Sequence, residues 1–151
     1  MLRSGWRKFL FITPLLLLVC VSGFTQVRAN AYTYHIDSVT LRDESGSPKS
    51  SFSRGELVVV DTMVTNIMSY TYAAEPFLMI AKIEKSSVMW GYGSLKSSLL
   101  SGQSLSAAPG ILIPSGAPTG SYTVTVYVWS DWAINSGYPI AASFSLSLTV
   151  T

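Results

Sequence analysis

From Ser143 to Thr151 the chain alternates without a break, with Phe144, Leu146, Leu148 and Val150 set against Ser145, Ser147, Thr149 and Thr151. Successive side chains of a strand point to opposite faces, so this period of two predicts a half-buried strand. A second such run follows the Pro/Gly-punctuated stretch Pro114-Ser-Gly-Ala-Pro-Thr-Gly-Ser121. There Tyr122, Val124, Val126 and Val128 alternate with Thr123, Thr125, Tyr127 and Trp129. Tyr122 stands just past the turn, where its ring can enter a core while its hydroxyl bonds back to the preceding loop. Upstream, Glu56 to Asn66 puts Val58, Val60, Thr62 and Val64 on one face and Leu57, Val59, Asp61 and Met63 on the other.

Turn signals separate these runs at the spacing of a two-layer β protein. Tyr34 to Leu41 reads as the first strand, closed by Asp43-Glu-Ser-Gly-Ser-Pro48, residues that cap and turn chain. Phe77 to Ile83 reads as a further strand. A Glu84-Lys-Ser-Ser87 turn follows it, and then a short strand over Val88–Tyr92. Between Leu95 and Ile113, Ser101-Gly102 and Pro109-Gly110 interrupt the pattern; a strand is expected there without a fixed register. The whole predicts an all-β sandwich of about seven to eight strands.

The first 31 residues follow a different rule. Arg3, Arg7 and Lys8 precede an apolar run from Phe9 to Val21, and Ala29-Asn30-Ala31 supplies an Ala-x-Ala site. This is the pattern of a secretory signal peptide cleaved after Ala31. An uncleaved membrane anchor is the alternative, but the run contains Pro14 and is shorter than the roughly 20 residues that span a bilayer. A lipid anchor on Cys20 would need a small residue before it, where the chain has Val19. The expected organisation is therefore a signal peptide over 1–31 and one domain over 32–151, secreted or displayed at the cell surface.

Removing the leader reverses the sign of the charge. The full chain carries ten basic and eight acidic residues, a net charge of +2. Arg3, Arg7, Lys8 and Arg28 leave with the leader, so six basic residues face eight acidic ones, a net charge near −2. No basic patch for nucleic acid is expected. Cys20, the single cysteine, leaves too. The exported domain must then be held by its core, for which about 120 residues suffice.

At this point the chain resembles a known class. The run Phe52-Ser-Arg-Gly-Glu-Leu-Val-Val-Val-Asp-Thr-Met-Val-Thr-Asn66, the stretch Leu100-Ser-Gly-Gln-Ser104 and the Pro114-to-Tyr122 turn are similar to the immunoglobulin-like modules of archaeal and bacterial surface proteins, including the CARDB (cell-adhesion-related) type. More distantly the chain resembles archaeal thread-like filament subunits and the sandwich domains of archaellum stator proteins. The resemblance implies an immunoglobulin-like antiparallel β-sandwich, with Tyr122 as a tyrosine corner. It implies little about function, since such modules serve as spacers, filament subunits, stator parts and adhesins. The chain departs from the filament subunits in having only Tyr32-Thr33 before its first strand after cleavage. It therefore has no spare donor tail unless that strand is itself donated.

The chemical inventory does not suggest an enzyme. His35 is the only histidine, so any Ser-His-Asp or Cys-His arrangement would have to be built around it. A zinc site would need further nitrogen or sulfur ligands. Asp43 and Glu44 in a turn, with Asp37 or Asp131, form the one candidate calcium set; the reading adopted is a turn-capping pair. No cofactor is expected, and no Asn-x-Ser/Thr sequon occurs.

What remains is aromatic and aliphatic. In the immunoglobulin-like topology the loop after the 56–66 strand and the loop after the 120s strand share one end of the sandwich. A short strand finishing at Tyr92 would reach that end too. Tyr70, Tyr72, Trp90, Tyr92, Trp132 and Tyr138 are thus expected to converge. The cluster either caps the open end of the core or forms a site for glycan or a partner, since Trp and Tyr combine large rigid area with a polar handle. Leu57, Val59 and Met63 are either covered within the domain or buried against another subunit. Two functions follow. The first is a non-catalytic secreted surface protein, a structural or accessory subunit of an extracellular filament or surface layer that contacts protein partners or copies of itself. The second is a soluble binding module that recognises glycan or a partner through the aromatic cluster.

Overall fold

A computed structural model describes residues 32–69 and 73–151. Nine strands follow one another: β1 (Tyr34–Arg42), β2 (Ser51–Phe52), β3 (Leu57–Asn66), β4 (Glu75–Lys85), β5 (Val88–Leu99), β6 (Ser104–Ala107), β7 (Gly110–Leu112), β8 (Gly120–Trp129) and β9 (Phe144–Val150). One 3-10 turn, Ala133–Asn135, sits between β8 and β9. The strands form two sheets. The smaller has the order β1-β3-β6, with β7 continuing beside β3 where β6 stops, and the larger has the order β2-β9-β8-β4-β5. The protein is an all-β sandwich with immunoglobulin-like strand order. One pairing departs from the antiparallel expectation, since β2 runs parallel to β9 through Ser51↔Thr149 and Phe52↔Val150.

The period-two runs explain the core. Val58, Val60, Thr62 and Val64 of β3 are buried and face Tyr122, Val124, Val126 and Val128 of β8 across the sandwich, with Leu148 and Val150 of β9 beside them. Tyr122 is 2% exposed and its hydroxyl donates to the Pro118 carbonyl at 2.6 Å, which is the tyrosine corner. Thr125, on the outward row of β8, is nonetheless 6% exposed, because the strands on both sides shield it, and its hydroxyl accepts from Ser145 at 3.2 Å. Among the described residues no buried polar side chain lacks a hydrogen-bond partner.

The strand expected to end at Tyr92 is corrected by the structure. β5 runs on to Leu99 and pairs with β4 along its whole length. Its hairpin turns on Ser86 and Ser87, both left-handed with φ of 51° and 64°, which matches the handed two-residue turns that continue strand twist. Gly91, Gly93 and Leu95 then keep a weak inward row going without the β-branched residues that usually signal a strand. These glycines serve a further purpose. A Cβ on Gly91 would lie 2.8 Å from Ile111, and one on Gly93 would collide with the Gly110 carbonyl oxygen. Bare backbone there lets β7 come close to β5, and the sandwich closes along that side.

The opposite side stays open. Above, the Thr33 and Tyr34 amides both donate to the Ile140 carbonyl at 3.0 Å; below, Lys49 donates to the Leu41 carbonyl at 2.9 Å. Between these two ties, β1 and β9 face each other without a strand to join them.

Candidate functional site

Three surfaces bear on function, and the loop between β8 and β9 builds the first. Asp131 organises it. Its carboxylate accepts from the Trp132 amide at 2.8 Å and from the Asn135 side chain at 3.1 Å, and it pairs with Lys96 of β5. The Lys96 hydrogen bond, followed by those from Trp132 and Asn135, pulls its carboxyl down to about 2. The Asn135 and Gly137 amides return to the Trp132 carbonyl, Ser136 takes a left-handed conformation, and Tyr138 donates through its amide to the Ser130 hydroxyl. The loop is thus tied at both ends and across its middle. What it presents is apolar: Trp132 and Tyr138 are exposed, and Ile134 at its summit is 92% exposed. Tyr32 and Ile67, also exposed, lie at the same end, where the Ile67 amide donates to the Thr33 carbonyl. A small cleft beside Tyr138 is lined by Tyr34, Met68, Glu75, Pro76 and Ser130.

Of the six aromatics expected to converge, Trp132 and Tyr138 stand here, and Tyr70 and Tyr72 lie outside the described residues. Trp90 and Tyr92 do not join them. Tyr92 pairs with Lys82, whereas the β5 residue level with the base of the loop is Lys96, opposite Leu78 and hence Trp129. The four residues from Tyr92 to Lys96 amount to about 13 Å of strand. The physical reason is the length of β5: residues 90–92 are at its start, not its finish. Trp90 is a bulge residue packed against the core, and Tyr92 is exposed on the outer face of the larger sheet.

The second surface is the outer face of β3. Leu57 and Val59 are half-buried, with Leu112 and Gly110 as their partners on β7 and Arg42 beside Val59 on β1. Met63 alone of the three is exposed, and it stands among polar neighbours. Asp61 accepts from Arg42 at 2.8 Å and from Ser106 at 2.5 Å, and these two bonds, the serine's foremost, hold its carboxyl below the usual range. Further along, Asp37 accepts from Thr65 at 2.6 Å and meets His35 Nδ1 at 2.9 Å. In the turn after β1, Asp43 takes the Ser45 and Ser47 amides at 2.9 and 3.0 Å, so its carboxylate caps that turn.

The third surface is the open side, which no sequence pattern announced. It holds two adjoining clefts of about 430 and 370 Å³. The upper is lined by Ile36, Ile67 and Phe144 together with His35 and Asp37, the lower by Val39, Leu41 and Leu146 together with Lys49. The signal was present in β9, whose apolar row is complete while only its lower half is covered: Leu148 and Val150 are buried, but Phe144 is 38% exposed.

No family model matches the chain, and no curated protein matches it. Among solved structures it is similar to a β-glucuronidase from glycoside hydrolase family 2, with a TM-score of 0.60 and 12% identity over 78% of this chain. The chain spans 13% of the length of that protein, so the likeness is one of sandwich fold.

Proposed function

We propose that the protein is a non-catalytic, exported surface protein that works through protein–protein contacts, as a structural or accessory subunit of an extracellular filament or surface layer. In this reading residues 1–31 direct export and are removed after Ala31; intact mass of the exported protein checks that step, and a species retaining Phe9–Val21 would favour the anchored form.

The observation that carries the reading is Ile134. A branched aliphatic side chain, almost fully exposed at the summit of a loop that Asp131 braces, is preorganised for a pocket on another protein. It has no polar handle for a sugar, and the exposed Trp132 and Tyr138 on the same loop add the aromatic area in which protein interfaces concentrate their energy. Ile134→Asp is expected to abolish long assemblies seen by electron microscopy while leaving folding stability within about 0.5 kcal/mol, the range for surface changes. Wild-type assembly by that variant would refute the reading.

A second reading draws on the cleft beside Tyr138. An exposed tyrosine ring beside a cleft lined by Glu75 and Ser130 is suited to stacking on a sugar and bonding its hydroxyls. Under it, Tyr138→Ala loses glycan binding on an array while Ile134→Asp keeps it.

A further inference from the structure

The open side of the sandwich has an edge that is ready to pair. The Thr149 and Thr151 amides donate to the Ser50 and Phe52 carbonyls, both at 2.9 Å, so the odd-numbered backbone groups of β9 point toward β2. Backbone direction alternates along an antiparallel strand, and the even-numbered residues face β8. Ser145 and Ser147 therefore aim their N–H and C=O groups along the same edge as Thr149, where the two-residue β2 no longer reaches.

Free edges are normally guarded by charges, prolines or bulges. β1 has a bulge at Asp37, with His35 and Asp37 on it. The β6–β7 edge is broken at Ala108-Pro109. β5 carries a bulge at Trp90 as well as Lys96, and the Gly110 backbone crowds it. β9 has none of these: residues 143–151 contain no charge and no proline, and its register with β8 is unbroken.

We propose that the upper half of β9 is a self-association edge, pairing antiparallel with the same edge of a second copy so that two five-stranded sheets become one of ten strands. β2 already demonstrates how the slot is filled. It adds to β9 by backbone hydrogen bonds and sends Phe52, fully buried, between the sheets. A second β9 continues that interface upward. The match is one of charge and pattern: two uncharged strands meet without like-charge repulsion, and Phe144, Leu146 and Val39 of each copy cover those of the other. Such a contact is isologous and closes as a dimer, whereas the Ile134 loop of the assembly reading contacts a different surface. Together the two kinds of contact build a filament of dimers.

The inference rests on the assembly reading, and the experiment separates their failures. Sedimentation velocity of the purified exported protein is compared with Ser147→Pro, which deletes an edge N–H without touching a ladder bond to β8, and with Phe144→Lys, which places a charge at the half-exposed ring. Each variant is expected to weaken dimerisation by about tenfold or more, with an unchanged denaturation midpoint; Ile134→Asp is expected to leave dimers. Because either variant can lose the fold, hydrogen exchange on the wild type gives a second measure: the Ser145 and Ser147 amides gain protection as concentration rises. Dimers that persist unchanged in folded Ser147→Pro and Phe144→Lys overturn the edge and leave the assembly reading standing. Free exchange of both amides at every concentration also overturns it. Protection that appears only on adding another protein overturns self-pairing in favour of a foreign strand.

Discussion

Replacing Tyr122 by Phe removes one atom and leaves the shape of the core unchanged. The ring is 2% exposed among Val124, Val150 and their neighbours, and Lys85 Nζ stands 5.3 Å from its centroid, a contact that phenylalanine keeps. What disappears is the 2.6 Å hydrogen bond to the Pro118 carbonyl. A neutral hydrogen bond of this kind contributes roughly 0.5–1.5 kcal/mol, and a stranded buried acceptor would add to the loss. Pro118 is exposed, so water can reach its carbonyl, and the expected cost settles near 1 kcal/mol. At a urea m-value of about 2 kcal/mol/M this lowers the midpoint by about 0.5 M with m unchanged. The proper control is Thr123→Ala, whose side chain is exposed on the outer row of β8, and it should stay within about 0.5 kcal/mol. Thr125, one pleat further on, is unsuitable because it is buried and bonded to Ser145. Equal midpoint shifts for Tyr122→Phe and Thr123→Ala would show that the corner contributes nothing to stability.

Gly93→Ala drives a methyl into the Gly110 carbonyl and should cost on the order of 1–3 kcal/mol, while Gly116→Ala, with nothing within 4 Å, should be near neutral; thermal unfolding of the pair compares them directly. Lowered pH should loosen the β8–β9 loop before the core: the Asp131 carboxyl is depressed in the folded state, so its stabilising bonds are fully present above the unfolded value near 3.8 and are lost as pH falls toward about 2. Acid titration followed by the Trp132 and Asn135 amide resonances should register that change, and Asp131→Asn should abolish it.

Where burial is one-sided the sequence was legible, and where it is not the reading failed. β3, β8 and β9 each bury one alternating row in the core, so a period of two located them to within a residue or two, whereas β1, whose alternation is broken by the bulge at Asp37, was located by the turn that closes it. β4 carries the continuous run Phe77-Leu-Met-Ile-Ala81, because Leu78 is buried on the outward row between Trp129 and Lys96, outside the main core. The run was readable as a strand, but its second buried position was not. β5 disguised itself through Gly91, Gly93 and its serines, whose value lies in what they leave out. That error carried Trp90 and Tyr92 to the wrong end of the molecule. The site suffered more than the fold, since it depends on loops and edges. Trp132 and Tyr138 lie in the loop that topology assigned them, but the exposure of Ile134 and the shortness of β2, which leaves the upper half of β9 uncovered, depend on neighbours distant in sequence.

The parallel contact between β2 and β9 also governs the order in which the molecule can be made. Phe52 and Thr151 are 99 positions apart, yet the amide and hydroxyl of Thr151 both bond to the Phe52 carbonyl. During synthesis the early half of the chain must wait for residues 149–151 before Phe52 acquires its neighbour, and closing so long a loop is entropically late and slow. Without β9, β8 would itself be a bare edge. A product truncated before β9 would lose both the β8 and the β2 pairings of that strand, and is expected to be cleared by proteases and chaperones instead of persisting as a weaker version of the finished protein.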